Sequence, residues 1–243
     1  MGLIADLLTT QEISEWHKKE MFSILNDYFD NVTYADFRRD LQDKDWVILL
    51  KEAGSEKVRG FSTQKLIRVK VNNIPVKALF SGDTIISKEY WGGFELVKKW
   101  FDLVFSIMED GERAKLYWFL ISMGYRTYRY LPVYFKEYYP RFDRMTPSFE
   151  KSVINALGSL KFPNEYDSQK GVIHFDQKAA HLKNGFSEIP ENKLKDPNVS
   201  FFLKKNAKYI EGDELVCIAE LSFNNFKPVV CRITGREIKT GVN

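Results

Sequence analysis

The sequence predicts a mixed α/β fold, an α+β domain built on one mixed sheet, with a C-terminal extension. Three consecutive segments predict it. Val58–Ser87 reads as a long hairpin, Phe94–Met108 as an amphipathic helix, and Leu116–Met123 as a strand that is apolar on both faces. A chain of 243 residues that is 44% hydrophobic and 15% aromatic has the apolar side chains to bury a sizeable core.

Taken in order, Thr9 and Glu12 have the spacing of a capping box, and Ile13, Trp16, Met21, Ile24 and Tyr28 recur at near-helical intervals, so a helix is expected over 10–29. After a break at Asn31–Thr33, Phe37 and Leu41 mark a second helix over Tyr34–Lys44. Trp46–Leu50 reads as a strand. The Asn72-Asn73 pair suits a two-residue hairpin loop, because Asn tolerates positive φ. That loop pairs Val69 with Val76 and Ile67 with Ala78, and Pro75, which has no N–H to donate, belongs on an outward-facing position. The apolar run Lys115–Met123 is expected to be a central strand beside Val76–Ser87, and Tyr125–Tyr139 an aromatic, basic helix. Ser148–Leu160 is a further helical pattern. The expected organisation is a core over 1–140, an insertion over 141–212, and a hairpin over 213–243 that completes the sheet. In that hairpin Cys217 would face Thr234, so no cross-strand disulfide with Cys231 is expected.

Composition excludes several classes. With 36 basic and 33 acidic residues interspersed, the net charge of +3 supplies no patch for nucleic acid. No run approaches the roughly 20 apolar residues of a membrane span, and MGLIADLL lacks the features of a signal peptide; a cytoplasmic protein is expected. Asp6 stands where a myristoylation signal wants Ser or Thr. Two cysteines and three histidines show no zinc spacing, so no metal is expected. His174 reads as a core histidine, His181 as solvent-facing, and Lys204–Lys208 as a solvated face.

The series helix, helix, strand, long hairpin, helix, buried strand, helix resembles the core of the GCN5-related N-acetyltransferases, the acyl-CoA N-acyltransferase superfamily. The resemblance spans about 10–140, plus the final strands. It implies that the fourth strand, Val76–Ser87, splays from the fifth and that acyl-CoA enters between them. The pantetheine arm would bond to the splayed backbone at Ile85 and Ser87. The pyrophosphate would sit on Lys88–Phe94 (KEYWGGF), where a helix start binds phosphate through exposed N–H groups and the helix dipole. On the family's loop pattern Lys88 takes the basic position, Trp91 replaces the first glycine and Gly93 fits the last, giving Lys88, Trp91, Gly92, Gly93 and Phe94 as donor-binding residues. No cofactor is implied beyond the acyl-CoA or acyl-phosphopantetheine co-substrate.

The resemblance also assigns chemistry. Tyr134-x-Lys136-x-Tyr138-Tyr139 is similar to the family's Tyr-x-Lys-x-Gly-Phe, whose tyrosine protonates the leaving thiolate, although Thr127, Tyr130 and Tyr138 depart from the family's residues. Asp83, sharing a strand face with Ser81 and Ile85, is the candidate base for the incoming amine, its pKa raised by a cleft. Each residue keeps an ordinary alternative: Gly92-Gly93 as a turn, Tyr134 as packing, Asp83 as half of an ion pair with an arginine such as Arg126. The expected function is transfer of an acyl group from CoA, or from a carrier protein's phosphopantetheine, to a small-molecule amine. The alternative is a non-catalytic binding or interaction module of the same fold.

Overall fold

A computed structural model describes residues 2–175, 180–183 and 188–237. Strand β1 (Leu3–Thr9) is followed by α1 (Glu15–Tyr28), the two-residue strand β2 (Phe29–Asp30) and α2 (Tyr34–Gln42). Then come β3 (Trp46–Glu52), β4 (Val58–Val71), β5 (Ile74–Ile86), α3 (Glu95–Met108) and β6 (Lys115–Ser122). Two short helical turns, α4 (Tyr125–Tyr128) and α5 (Tyr130–Tyr134), lead to α6 (Ser148–Lys161). The short strands β7 (Tyr166–Asp167), β8 (Val172–Ile173) and β9 (His181–Leu182) precede α7 (Glu191–Leu194) and α8 (Pro197–Lys205), and β10 (Glu214–Glu220) and α9 (Pro228–Thr234) end the described chain.

Eight strands form one sheet in the order β1-β3-β4-β5-β6-β10-β8-β7, while β2 and β9 pair separately. Among the described residues, only β5 and β6 run parallel in this sheet. Both faces of the sheet are covered. On one, α3 packs with α5, α8 and α9 over Trp100, Phe101, Trp118, Leu131 and Phe226. On the other, α6 covers Phe80, Phe119 and Ile218, and α1 and α2 cover Val47, Phe61 and Ile85. Leu116, Trp118 and Leu120 of β6 join the first core, Tyr117 and Phe119 the second, which is why that strand shows no polar alternation. Helix α3 buries eight apolar side chains, from Leu96 to Ile107, each stabilising by roughly 1.5–3 kcal/mol when fully removed from water.

The β4–β5 turn follows its sequence. Asn72 and Asn73 take φ of 49° and 65°, and Val69 pairs with Val76 and Ile67 with Ala78. Among the described residues, no helix is long and apolar enough to cross a membrane.

Four elements differ from expectation. The first helix starts at Glu15, capped by the Ser14 hydroxyl; Thr9 donates its N–H and hydroxyl to the Glu12 carboxylate, so that pair builds the turn between β1 and α1. Strand β1 itself pairs with β3 along its whole length. Tyr125–Tyr139 is not one helix: after α5 the chain extends, because Phe135 bridges Phe226, Tyr139 bridges Ile218, and Pro140 disfavours a helical residue before it. The described residues form no C-terminal hairpin, and 238–243 of the expected one lie outside them. Strand β10 does enter the sheet beside β6, but its other neighbour is β8, and Val229–Ile233 lies in α9, which opens on Pro228 and closes on Gly235 in the left-handed region. Cys217 therefore does not face Thr234 across a ladder; both cysteines are free and Cys217 is buried. The described part of 141–212 covers the sheet through α6 and extends it through β7 and β8.

Candidate functional site

The parallel β5–β6 ladder runs from Val76↔Lys115 to Ser81↔Leu120 and stops. Beyond it β5 continues to Ile86 beside β4, while β6 continues to Ser122 beside β10. A bulge marks the point of divergence. Gln64 pairs with Ser81 and Ser62 with Thr84, so Gly82 and Asp83 together oppose Thr63, and such an insertion bends and twists its strand. A Cβ at 82 would stand 2.6 Å from Thr63 Oγ1 and 2.9 Å from Lys44 Cε, so any larger residue there requires those side chains to move.

The bulge also decides which backbone groups face the gap. Ser87 gives its N–H to the Arg59 carbonyl of β4, and alternation turns Ile85, paired with Phe61, the same way. The expectation that Ile85 and Ser87 present backbone to a ligand is thus corrected. One extra residue shifts the parity, and Thr84 and Ile86 face the gap instead. Ile85 places its side chain in the α1–α2 core.

On the α3 face a buried polar chain braces the divergence. The Ser62 and Thr84 hydroxyls lie 2.6 Å apart, Gln64 Nε2 donates to Ser62 Oγ, and Ser81 Oγ donates to Gln64 Oε1. The indoles complete it: Trp100 Nε1 donates to Gln64 Oε1 and Trp118 Nε1 to Ser81 Oγ. Tyr134 lies in the core on this same face, against the edge of Phe101 and stacked with Tyr130, and burial pushes its hydroxyl up to about 12.

The opposite face holds charge. Asp83 is pushed up to about 6, chiefly by burial and then by Asp40, with Lys44 opposing. Glu214, at the head of β10, is pushed up to about 8 by burial and then by Asp83. Asp83 and Glu214 are both half-buried. Lys44 is buried beside them and bound to Asp40 at 2.5 Å. Thr63 Oγ1, under Gly82, is buried and finds no hydrogen-bond partner among the described residues.

At the mouth of the gap, the Lys88 N–H donates to the Tyr28 hydroxyl at 2.7 Å. Trp91 Nε1 donates to the Ile86 carbonyl at 2.8 Å, and the Arg126 guanidinium lies 4.9 Å from the Trp91 ring centre. Gly92 has a φ of 93°, which glycine alone adopts freely, whereas Gly93 does not lie in that region. A Cβ on Gly93 would meet the Glu95 carboxylate at 2.5 Å, so that carboxylate already lies at the start of α3.

No family model matches the chain, and no curated protein does. Solved structures of similar shape include a conserved protein from Enterococcus faecalis described as a probable N-acyltransferase. It is 14% identical at a TM-score of 0.40, over 65% of this chain and 43% of that one, so the chain spans less than half of that relative's length. A GNAT family N-acetyltransferase from Escherichia coli in complex with CoA is 13% identical at 0.36, over 50% of this chain and 64% of that one. A glucosamine-6-phosphate N-acetyltransferase from Arabidopsis thaliana is 16% identical at 0.33, over 44% and 77%. These likenesses are distant; within the described residues the fold is a mixed sheet whose one parallel pair is β5 beside β6.

Of the expected residues, the fold gathers Lys88, Trp91, Gly92, Gly93 and Phe94 just beyond the end of β5, puts Asp83 at the divergence, and places Tyr134 on the far face from Asp83. Two features escaped the sequence reading. Glu214 shares a face with Val216 and Ile218, and an acid inside that buried alternation was the available signal. Contact between Trp91 and Arg126, 35 positions apart, had no local signal.

Proposed function

We propose that the protein transfers an acyl group from a pantetheine thioester, carried by CoA or by a carrier protein, to a small-molecule amine. The ending of the β5–β6 ladder at Ser81↔Leu120, with β5 backbone running on beside an open edge, is the observation that carries this reading. Such an edge bonds an extended amide-bearing chain as it would bond a strand. A pantetheine arm has that character, and the backbone of Thr84 and the N–H of Ile86, whose carbonyl is held by Trp91, are the groups it would meet.

The thioester then lies at the divergence, between the Tyr134 face and the Asp83 face. The acceptor enters on the latter side as an ammonium ion, and Asp83, directly or through water, takes its proton. The freed nitrogen attacks the thioester carbonyl, the C–S bond breaks, and Tyr134 gives its proton to the departing thiolate. The second proton that the nitrogen sheds on becoming an amide reprotonates the tyrosinate through water. Burial holds the tyrosine in its protonated form, as a donor requires. Glu214, neutral below about pH 8, donates a hydrogen bond to the acceptor.

Thermal denaturation with pantetheine 4′-phosphate, CoA and acyl-CoA tests the reading, since a ligand that binds the native state alone raises Tm. At least one of the three should do so. Tyr134→Phe keeps the ring's packing and should lower kcat by roughly 10²–10⁴-fold. A Tm that none of the three moves sinks the donor assignment, and binding without turnover by the parent protein favours the non-catalytic module.

A further inference from the structure

The mouth of the gap is furnished for a protein more than for a nucleotide. A diphosphate seated at the start of α3 needs free N–H groups and the positive end of the helix dipole. Here the Glu95 carboxylate already occupies that place, 2.5 Å from where a Cβ on Gly93 would stand. Trp91, where a phosphate loop of this fold has a glycine, fills the adjoining space, its indole held by the Ile86 carbonyl and its face covered by Arg126. Groups of the chain itself thus fill the positions that the adenosine diphosphate part of CoA would take.

The surface around the mouth has the opposite character. Trp91 and Phe94 are 42% and 57% exposed, two large aromatic side chains within four residues of one another. Lys98 follows Phe94 by one helical turn on the same side of α3. Lys88 and Lys98 are exposed and make no ion pair among the described residues. Glu89 lies among them but faces Arg59 at 3.7 Å, and Glu95 turns back toward Gly93. Two exposed aromatic anchors flanked by two such lysines suit an acidic protein partner, because the rings supply desolvated contact and the charges steer and orient the encounter.

Resting on the acyl-transfer reading, we propose that the acyl group is presented by an acidic carrier protein, which docks on Trp91, Phe94, Lys88 and Lys98 and threads its phosphopantetheine arm into the gap. A carrier's arm brings one phosphodiester in place of an adenosine diphosphate. Lys88 is then its counter-ion, and Glu95 can stay where it is.

Isothermal titration of the full chain with four probes tests this: pantetheine 4′-phosphate, CoA, a phosphopantetheine-loaded bacterial acyl carrier protein, and the same carrier without its arm. The loaded carrier should bind at least about tenfold more tightly than CoA and lose affinity as salt is raised. Lys98→Glu should weaken the loaded carrier by about tenfold and leave pantetheine 4′-phosphate binding unchanged. Phe94→Ser, at an exposed position, should weaken the carrier in both loaded and unloaded forms. CoA binding as tightly as the loaded carrier, or a folded Lys98→Glu chain that binds the carrier undiminished, overturns the proposal. If pantetheine 4′-phosphate binds and the carrier does not, docking fails and acyl transfer stands; if no probe binds, the acyl-transfer reading falls and takes this proposal with it.

Discussion

On the α3 face of the β5–β6 divergence, Ser62, Gln64, Ser81 and Thr84 pass hydrogen bonds from one to the next and take up two indole N–H groups. On the opposite face, Asp83 and Glu214 are pushed towards their neutral forms and Thr63 Oγ1 has no hydrogen-bond partner among the described residues. The first arrangement costs little, since buried polar groups that satisfy one another offset their own desolvation. The second is held at a cost to stability, which is how groups poised for proton transfer are commonly found. One set of groups satisfies itself and ties β5 to β4, α3 and β6; the other does not, and on the acyl-transfer reading proposed above it is the second set that moves protons.

Asp83→Asn breaks the comparison hardest. It keeps the shape and removes the base, so kcat should fall by roughly 10²–10⁴-fold. The parent's rate should rise as pH passes about 6, where Asp83 ionises, and the variant should lack that limb. Stability should move the other way. With its folded-state pKa raised above 3.8, the parent loses stability as pH rises between about 4 and 6, and the variant escapes that loss. Parental turnover by a folded Asp83→Asn chain would assign the base elsewhere.

Gln64→Met sharpens the other side. It fills much of the same volume but strands the Trp100 indole, and the Ser62 and Ser81 hydroxyls lose the amide between them. Each buried group left unpaired costs about 1–3 kcal/mol, to be read by chemical denaturation. The acid limb of the pH–rate profile, governed from the opposite face, should keep its position. A shift of that limb as large as the one expected from changes beside Asp83 would show that the two faces do not act separately.

The legible parts of this molecule are those governed by local rules. Asn72-Asn73 fixed the turn, and with it the register from Val69↔Val76 through Ile67↔Ala78. The unbroken apolar run of β6 and the helical spacing of α3 needed no tertiary information. Asp83 was readable as an acid near the end of β5, though not on the face it was expected to share with Ser81, since the bulge leaves Ser81 on the α3 face and Asp83 on the other. The bulge was not, because Ser81-Gly82-Asp83-Thr84 carries no mark of which residue the opposing strand skips. That single uncertainty exchanged Thr84 and Ile86 for Ile85 and Ser87. Val229–Ile233 has the β-branched composition of a strand, yet Pro228 at a helix start and Gly235 beyond its end outweigh it. Tyr134 ends a short turn and not a long helix because residues from Phe135 onward pair with Ile218 and Phe226, far along the chain.

The smallest effect belongs to Glu214→Gln, and it separates a catalytic carboxyl from a merely strained one. Glutamine keeps the size and hydrogen-bond donor of the neutral acid, so activity at pH 7 should stay within about tenfold of the parent. In the parent, Glu214 loses its proton near pH 8, and activity should decline beyond that point if its neutral form donates to the acceptor. The variant should hold its activity there. Stability supplies a second reading of the same group. Its pKa is raised from 4.5 to about 8 on folding, so the native state binds more protons than the unfolded chain between those values, and the parent becomes less stable as pH rises through that window. The Tm of Glu214→Gln relative to the parent should therefore climb from about pH 4.5, level off above about pH 8, and show no excess at pH 4. A Tm difference that follows this course without any change in the alkaline limb of activity would leave Glu214 a strained neighbour of Asp83 and remove it from the reaction.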